Sequence, residues 1–179
     1  MLINSLKSST RKLGYLQLIF SVLACFMKLV TINKNYINFL RTIDTRVLPN
    51  DATNVRPYLG GVLYRGKYSY YIPLSTKSGA SDFIVNFSDG LGSINFERMI
   101  PLMGAHNSKI KLLPDNKLFE IFERQLGVIE NNKSQIRKFA ETVYIKKSTN
   151  GLTAEQNKKI VNFKLLEKNC QDFSPSVTY

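Results

Sequence analysis

The sequence predicts a single α+β domain in which an antiparallel or mixed β-sheet precedes most of the helices. Short segments rich in Val, Ile, Leu and Tyr fill the region between residues 57 and 103. Apolar residues with helical spacing then occupy much of the chain after Pro114. One early helix follows a first strand, and strands followed by helices are typical of α+β domains. A chain of 179 residues is long enough to bury one such core.

The first half of the chain carries the strand signals. Residues 28–32 predict a strand, and Asn33 can cap a helix whose apolar face contains Tyr36, Ile37, Leu40 and Ile43. The segments 57–64 and 67–74 meet at Arg65-Gly66 and predict a β-hairpin. Residues 82–87 predict another strand, and residues 92–96 and 99–103 predict short strands or a strand and a bend.

The second half carries the helix signals. One predicted helical face contains Leu118, Ile121, Phe122, Leu126 and Ile129, and the next contains Ile136, Phe139, Ala140 and Val143. Thr153 and Gln156 have the spacing of a capping box and predict a third helix that continues to about Asn169. The chain from Phe173 is predicted to be loose, with residues 174–179 as a tail.

Residues 1–26 differ from the rest of the chain. They contain Lys7, Arg11 and Lys12, no acidic residue, and an apolar run that is shorter than the roughly 20 residues of a transmembrane helix. This is the pattern of an export signal. The alternative, which we favour, is that the protein starts functionally at Met27, because a strand follows directly. The folded domain is then predicted to span residues 27–173.

The charge balance predicts a polyanionic partner. The 25 Lys and Arg residues outnumber the 13 acidic residues, which gives a net charge of +12. Only three of the basic residues lie in the leader, so the positive charge belongs to the domain. Nucleic acid and an anionic membrane surface both attract such a protein.

Several classes of site are excluded by what the chain lacks. Structural zinc needs about four N or S ligands, whereas only Cys25, Cys170 and His106 are present, so no metal is predicted. Sparse cysteines fit a reducing cytoplasm, although a Cys25–Cys170 disulfide remains open. No phosphate-binding Gly-rich motif, metalloprotease motif or nucleophile elbow occurs. A single histidine excludes a histidine pair acting as base and acid, and His106 is interpreted as a loop residue.

The segment that carries chemistry is Ser75-Thr76-Lys77, where the second hairpin strand opens into a loop of small residues. Hydroxyls, loop N–H groups and an ammonium can all donate hydrogen bonds to phosphate oxygens. Arg56, just before the first hairpin strand, can supply a bidentate phosphate contact. Taken alone, these features favour a polar turn and an ordinary surface arginine.

The order and spacing of six segments resemble the ToxN/AbiQ family of type III toxin–antitoxin toxins, from Met27 to about Phe173. These segments are Lys34–Leu40, Asp44, Arg56–Leu63, Tyr71–Thr76, Gly92–Phe96 with Met99–Pro101, and Asn162–Glu167. The resemblance implies a twisted sheet flanked by helices, similar to the Kid/MazF toxins. It also implies metal-independent, sequence-selective endoribonuclease activity without a cofactor, on cellular or phage RNA.

The resemblance further implies a repeated, pseudoknotted RNA antitoxin that inhibits the toxin in a closed toxin–RNA assembly. The family pattern in the loop is Pro-Leu-Thr/Ser-Ser-Pro-Lys. Here Thr76 stands where the key serine usually stands, the second proline is absent, and Lys77 lies one place early. Arg56 occupies a position that is basic in the family and often Lys.

The predicted catalytic residues are Ser75 and Thr76 as hydrogen-bond donors and Lys77 and Arg56 as charge stabilisers. Asp44 or Tyr36 could accept a proton only if the fold brings them close. The predicted RNA contacts are Lys28, Tyr36, Asp44, Arg46, Tyr58, Arg65, Lys67, Lys109, Lys111, Lys146 and Lys147. Two alternatives remain: a non-catalytic RNA-binding module, and a secreted or lipid-anchored protein that uses residues 1–26 for export.

Overall fold

The computed structural model describes residues 27–50, 56–88, 90–103, 110–112 and 119–174, and leaves the side chains of 110–112, 119 and 120 undescribed. The leader, Cys25, His106, Lys109 and most of the tail lie outside these residues. In the described part, no helix is both long and apolar enough to cross a membrane.

One β-sheet organises the described chain. Its strands are β1 Lys28–Ile32, β2 Pro57–Arg65, β3 Tyr68–Ser75, β4 Ile84–Asn86, β5 Ser93–Asn95, β6 Ile100–Met103 and β7 Ile110–Leu112. The order is β4–β5–β3–β2–β1–β7, and β6 pairs with the first half of β3. Every pairing between the described strands is antiparallel, which is one of the two predicted arrangements.

The helices are α1 Lys34–Ile43, α2 Phe119–Asn131, α3 Lys133–Ser148, α4 Ala154–Lys159 and α5 Phe163–Asn169. Short 3₁₀ turns cover Phe96–Arg98 and Cys170–Asp172. Strands dominate the first part and helices the second, with α1 as the early exception, so the predicted α+β class is confirmed. The likeness to Kid/MazF remains a prediction.

Local signals fix the predicted starts and turns. The Asn33 side chain accepts a hydrogen bond from the Asn35 N–H at 2.8 Å and caps α1. The hairpin turns at Gly66, whose φ of +58° lies in the left-handed region that glycine adopts without steric cost. The register of β2 against β3 shifts between Leu59 and Leu63, which marks a β-bulge that the sequence did not predict.

The predicted third helix is two helices. The Thr153–Gln156 capping box is present, but α4 ends at Lys159 and α5 begins only at Phe163. Ile160 and Val161 are fully buried between them, and the Val161 N–H donates to the Glu97 carbonyl. The helix therefore ends where two β-branched residues become buried. The next helix, α5, begins after Asn162, whose side chain caps it by accepting a hydrogen bond from the Leu165 N–H.

The core lies between the sheet and the helices that pack on it, and successive residues of β2 and β3 are buried on both faces. Helix α3 packs on β2, and α5 packs on β6. Tyr70 of β3 meets Tyr144 and Phe163 edge-on, at ring-centroid distances of 5.5 and 5.7 Å. The Tyr70 and Tyr144 hydroxyls both donate to Glu167 at 2.8 Å, so this buried carboxylate has the partners that its burial demands.

Two features differ from the prediction at the margins of the domain. Strand β7 pairs antiparallel with β1, with Thr31 opposite Lys111, although no strand was predicted there. Phe173 packs edge-on against Tyr36 at 5.2 Å and also contacts Phe39 at 5.4 Å. The expectation of a loose chain from Phe173 onward is therefore wrong at Phe173 itself.

Candidate active site

The sheet brings the predicted loop and Arg56 to the same end. Ser75 is the last residue of β3 and lies directly opposite Ser93 of β5. On its other side, β3 pairs antiparallel with β2, with Tyr58 opposite Pro73. Because Arg56 directly precedes β2 and Ser75 ends β3, the antiparallel pairing places both at the same end of the sheet. The sheet thus brings together two segments that are distant in the sequence.

The loop presents hydroxyl and ammonium groups whose protons are not used in hydrogen bonds to other described residues. Thr76 and Lys77 are exposed and Ser75 is half-buried. The Ser75 Oγ accepts a hydrogen bond from the Lys77 N–H at 3.0 Å, so its own proton remains available for donation. Within the described residues, the Thr76 hydroxyl makes no hydrogen bond and the Lys77 ammonium makes no ion pair.

The backbone of this loop is held by residues from distant segments. The Gln125 side chain of α2 is fully buried, and its Nε2 donates to the carbonyl of Ser75 at 3.3 Å and to the carbonyl of Leu91. The buried Ser93 hydroxyl donates to the Lys77 carbonyl at 2.8 Å. We call Gln125 and Ser93 the loop bracket, because together they fix the carbonyls on both sides of Thr76.

Gly92 allows the backbone before β5 to approach the backbone of the loop closely. It has a φ of +113°, and a Cβ on it would lie 1.9 Å from the Ser75 carbonyl oxygen. No larger residue fits here without moving the backbone of the loop. On the far side of the loop, the Asn86 side chain makes two hydrogen bonds of 2.9 Å to the Gly79 backbone. The loop is thus tied at both ends.

The resulting surface favours an anion. Arg56 forms no ion pair within the described part of the chain, and its buried Nε has no hydrogen-bond partner there. Lys77 adds a second cation that has no ion pair among the described residues, and Ser75 and Thr76 add neutral donors. Two cations and two hydroxyls can surround a phosphate and stabilise additional negative charge on its oxygens.

Three predicted contacts are core residues, and the structure corrects them. Tyr36 is fully buried, its hydroxyl donates to the Pro101 carbonyl at 2.6 Å, and burial raises its pKa. Tyr58 is only 1 % exposed, and burial raises its pKa as well, although Arg56 acts in the opposite direction. Both phenols therefore stay protonated and offer no face on which an RNA base could stack. Tyr36 also cannot serve as the proton acceptor.

Asp44 is the third corrected residue, because it is buried and its carboxylate is bound by Arg46 and by the start of α5. Its carboxylate accepts two side-chain hydrogen bonds of 2.8 Å from Arg46 and one of 2.7 Å from the Asn162 N–H at the start of α5. Burial alone would raise the pKa of Asp44, but these hydrogen bonds outweigh it and lower the pKa below the ordinary 3.8.

The lowered pKa of Asp44 predicts a pH-dependent contribution to stability. A carboxyl whose pKa is depressed by folding stabilises the protein above its unfolded-state pKa, and this contribution is lost as the pH falls through the folded-state value. We expect Asp44→Asn to lower the free energy of unfolding by about 2 kcal/mol at neutral pH, the scale of charged hydrogen bonds. Denaturant unfolding should show this gap closing below about pH 4. An equal gap at pH 7 and pH 3 would contradict the assigned role.

The other predicted cations are dispersed over the surface. Arg65 and Lys67 flank the hairpin turn at the opposite end of the long strands, roughly 25 Å away at 3.3 Å per residue. Arg65 is paired with Glu141 at 2.7 Å, and Lys67 donates to Gln171 at 2.9 Å. They cannot contact the same phosphate as Ser75, so any RNA contact they make involves other nucleotides.

The remaining cations fall into two sets. Arg46 and Lys147 both donate to the Asn157 carbonyl, at 3.1 and 2.9 Å, in a network that also holds Asp44. Burial lowers the pKa of Lys147, and the positive charge of Arg46 lowers it further. Lys28 and Lys146 are exposed, Lys111 lies in β7 with an undescribed side chain, and Lys109 lies outside the described residues.

The sequence prediction did not include the loop bracket, although the sequence does mark one of its two residues, Gln125, as unusual. Gln125 falls among Phe122, Leu126 and Ile129 on the apolar stripe of α2, where a polar side chain requires a buried partner. The sequence does not indicate that this partner is the carbonyl of Ser75. Ser93 and Gly92 carry no such signal, because a short strand tolerates both. Among the described residues, no group of three or more His, Cys, Asp or Glu could hold a metal ion.

Comparisons with known proteins identify the family of the chain. The family model described as "Toxin ToxN, type III toxin-antitoxin system" matches residues 28–171. Endoribonuclease ToxN of Pectobacterium atrosepticum is 29% identical over 166 residues, which covers 82% of this chain and 94% of that protein.

Two solved structures share the fold. The structure of AbiQ, a lactococcal anti-phage endoribonuclease of a type III toxin–antitoxin system, has a TM-score of 0.69 and 25% identity, covering 81% of this chain and 96% of that one. A type III toxin that is selectively inhibited by a non-coding RNA pseudoknot also has a TM-score of 0.69, with 22% identity, covering 82% of this chain and 96% of that one.

Proposed function

The chain belongs to the ToxN family of type III toxin–antitoxin toxins, and we propose that it is an endoribonuclease whose active site is the loop Ser75-Thr76-Lys77 together with Arg56. The observation that carries this proposal is that the antiparallel pairing of β2 with β3 brings Arg56, which has no ion-pair partner among the described residues, to the same end of the sheet as the loop after Ser75. The relative ToxN and the structural neighbour AbiQ are both named endoribonucleases, which supports the same reaction.

The reaction that suits these groups is internal transesterification of RNA. The 2′-oxygen attacks the adjacent phosphorus, the bond from phosphorus to the 5′-oxygen breaks, and the 2′-proton leaves as the 5′-oxygen gains one. The products are a 2′,3′-cyclic phosphate and a 5′-hydroxyl. The enzyme must align the attack and stabilise the charge that builds on the phosphate oxygens. In our proposal Ser75 and Thr76 donate to these oxygens, while Lys77 and Arg56 neutralise the charge.

We further propose that the partner and inhibitor of this toxin is a repeated, pseudoknotted RNA antitoxin, and that the two act in the cytoplasm. One structural neighbour is a toxin inhibited by an RNA pseudoknot, and another concerns a non-coding RNA that regulates a bacterial antiviral system. A protein with a net charge of +12 binds such an RNA through many phosphate contacts. Cations far from the loop, such as Arg65 and Lys67, fit a long RNA that wraps around the domain.

The experiment that tests the proposed activity is cleavage of single-stranded RNA by the purified full-length chain in excess EDTA, with analysis of the new ends. We expect cleavage that persists in the chelator and leaves cyclic phosphate and 5′-hydroxyl ends. Activity that disappears in EDTA and returns with Mg²⁺ would refute the mechanism. A gel shift without any cleavage would favour the alternative of a non-catalytic RNA-binding module.

The loop bracket makes a separate prediction. Gln125→Met keeps the length of the side chain but removes both hydrogen bonds to the loop carbonyls. Because misplacement of a reacting group by about 1 Å can cost 10²-fold, we expect the cleavage rate to fall on the order of 10- to 100-fold. Affinity for antitoxin RNA should change little.

The matched control is Asn169→Leu, which removes an amide hydrogen bond of 2.8 Å to the Leu165 carbonyl at the end of α5. Thermal unfolding of both variants separates positioning from folding. A Gln125→Met protein that melts as the parent does and cleaves at the parental rate would remove Gln125 from the site.

A further inference from the structure

A pocket is lined by two of the elements that hold the candidate active-site loop, β5 and α2. It encloses about 370 Å³ between the β4–β5 edge of the sheet and the helices α2 and α3. A volume of this size is within the range of small-molecule pockets. The described residues that line it include Phe87, Phe96 and Phe139, and none of them carries a charge. An uncharged aromatic group fits such a lining, whereas a phosphate does not.

The pocket and the loop share two structural elements. On β5, Ser93 holds the loop and the neighbouring Ile94 lines the pocket. On α2, Gln125 holds the loop and Ile129 lines the pocket one turn later. At 1.5 Å per residue, Asn132 lies roughly 10 Å along the chain from Gln125. A nucleotide close to a phosphate in the loop is therefore within reach of the pocket.

The rim carries amide groups that have hydrogen-bonding capacity to spare. Asn132 occupies the N-cap position of α3, but its side chain makes no capping hydrogen bond. Its Nδ2 donates instead to the Val128 carbonyl at 2.8 Å, which leaves Oδ1 without a backbone partner. Gln135 also lines the pocket, is exposed, and has no hydrogen bond within the described part of the chain.

We propose that this pocket binds one nucleobase of the RNA and so contributes to the choice of cleavage site. Unstacked RNA bases are recognised by stacking on aromatic side chains and by hydrogen bonds to their edges. The half-buried Phe139 ring and the side chains of Val85 and Val128 supply accessible apolar surface, and the Asn132 and Gln135 amides supply both donors and acceptors. The inference rests on the proposed function, from which it takes RNA as the ligand, but its test measures RNA binding and not cleavage.

The test compares the affinities of the protein for oligo(A), oligo(C) and oligo(U) of about ten nucleotides, a length within the usual range of single-strand sites. Fluorescence anisotropy is measured in a Ser75→Ala/Thr76→Ala background that should not cut the probes. We expect the three affinities to differ by about tenfold or more, the scale of one well-recognised base edge.

Two variants alter the pocket in different ways. Val128→Phe fills it, and Asn132→Leu removes an amide while keeping a similar size. In both, the three affinities should come within about twofold of one another, because the shared phosphate contacts do not depend on the base. Asn131→Leu is the matched control, since this exposed neighbour does not line the pocket and should keep the full difference.

Thermal unfolding checks that each variant is folded. If Val128→Phe does not fold, the affinities of Asn132→Leu alone test the pocket assignment. Equal affinities in the parent, or differences that persist in a folded Asn132→Leu, would overturn the pocket assignment and leave the proposed cleavage activity intact. The two proposals can also fail separately. If Asn132→Leu loses the base preference but the unmodified protein cuts no RNA, the pocket assignment is supported and the endoribonuclease proposal is refuted.

Discussion

Thr76→Ala is expected to lower the rate of RNA cleavage on the order of 10²–10³, the cost of removing one donor to a developing oxyanion. The change removes a single exposed hydroxyl that makes no other hydrogen bond in the described structure. It leaves the Ser75–Lys77 turn and the loop bracket in place. Affinity for antitoxin RNA should barely change, because counterion release by many Lys and Arg side chains dominates it. Single-turnover cleavage and gel-shift titration measure the two effects separately.

Ser78→Ala is the matched control for Thr76→Ala, since it removes an exposed hydroxyl two residues further along the same loop. It should cleave at close to the parental rate. Normal cleavage by Thr76→Ala with an inactive Ser75→Ala would move the essential hydroxyl back by one residue.

Arg56→Ala is expected to lower both cleavage and RNA affinity. Arg56 precedes β2 at the end of the sheet where Ser75 ends β3, and it has no ion-pair partner in the described chain, so a phosphate is a suitable counterion. Loss of a cation that stabilises the transition state should reduce the rate on the order of 10²–10³. Loss of one phosphate contact should also reduce the slope of log affinity against log salt by about 0.7–0.9.

Lys67→Ala tests whether the effect of Arg56→Ala on the rate depends on position. Lys67 is exposed at the far end of the same hairpin, so its loss should at most change the salt slope and leave the cleavage rate alone. Arg56→Lys should retain part of the activity, because it keeps the charge but not the bidentate geometry. Equal rate losses in Arg56→Ala and Lys67→Ala would mean that Arg56 has no special role in the reaction.

Local sequence signals predicted the elements whose causes are local. The Asn33 cap, the turn at Gly66 and the Thr153 capping box each depend on side chains within a few residues, and all three are present. The loop at the end of β3 was predicted on the same basis, from a strand followed by small polar residues. The break between α4 and α5 was missed because its cause is a hydrogen bond to Glu97, far away in the sequence.

The errors at the site have a common physical origin. A tyrosine or an aspartate in a segment near the site can face the core or the solvent, and residue type alone does not decide between them. Tyr36 faces Pro101, and Asp44 faces Arg46 and Asn162, because α1 packs beside α5. Gln125 was missed for the converse reason, since its partner is a backbone carbonyl that only the folded sheet brings to α2.

The most direct test of the central claim is to measure cleavage and antitoxin binding together in the Ser75→Ala/Thr76→Ala double variant. If the end of β3 is the catalytic centre, this protein should be folded, should bind antitoxin RNA with close to parental affinity, and should show no detectable cleavage. A double variant that cleaves RNA at the parental rate would place the chemistry elsewhere on the molecule and contradict the account.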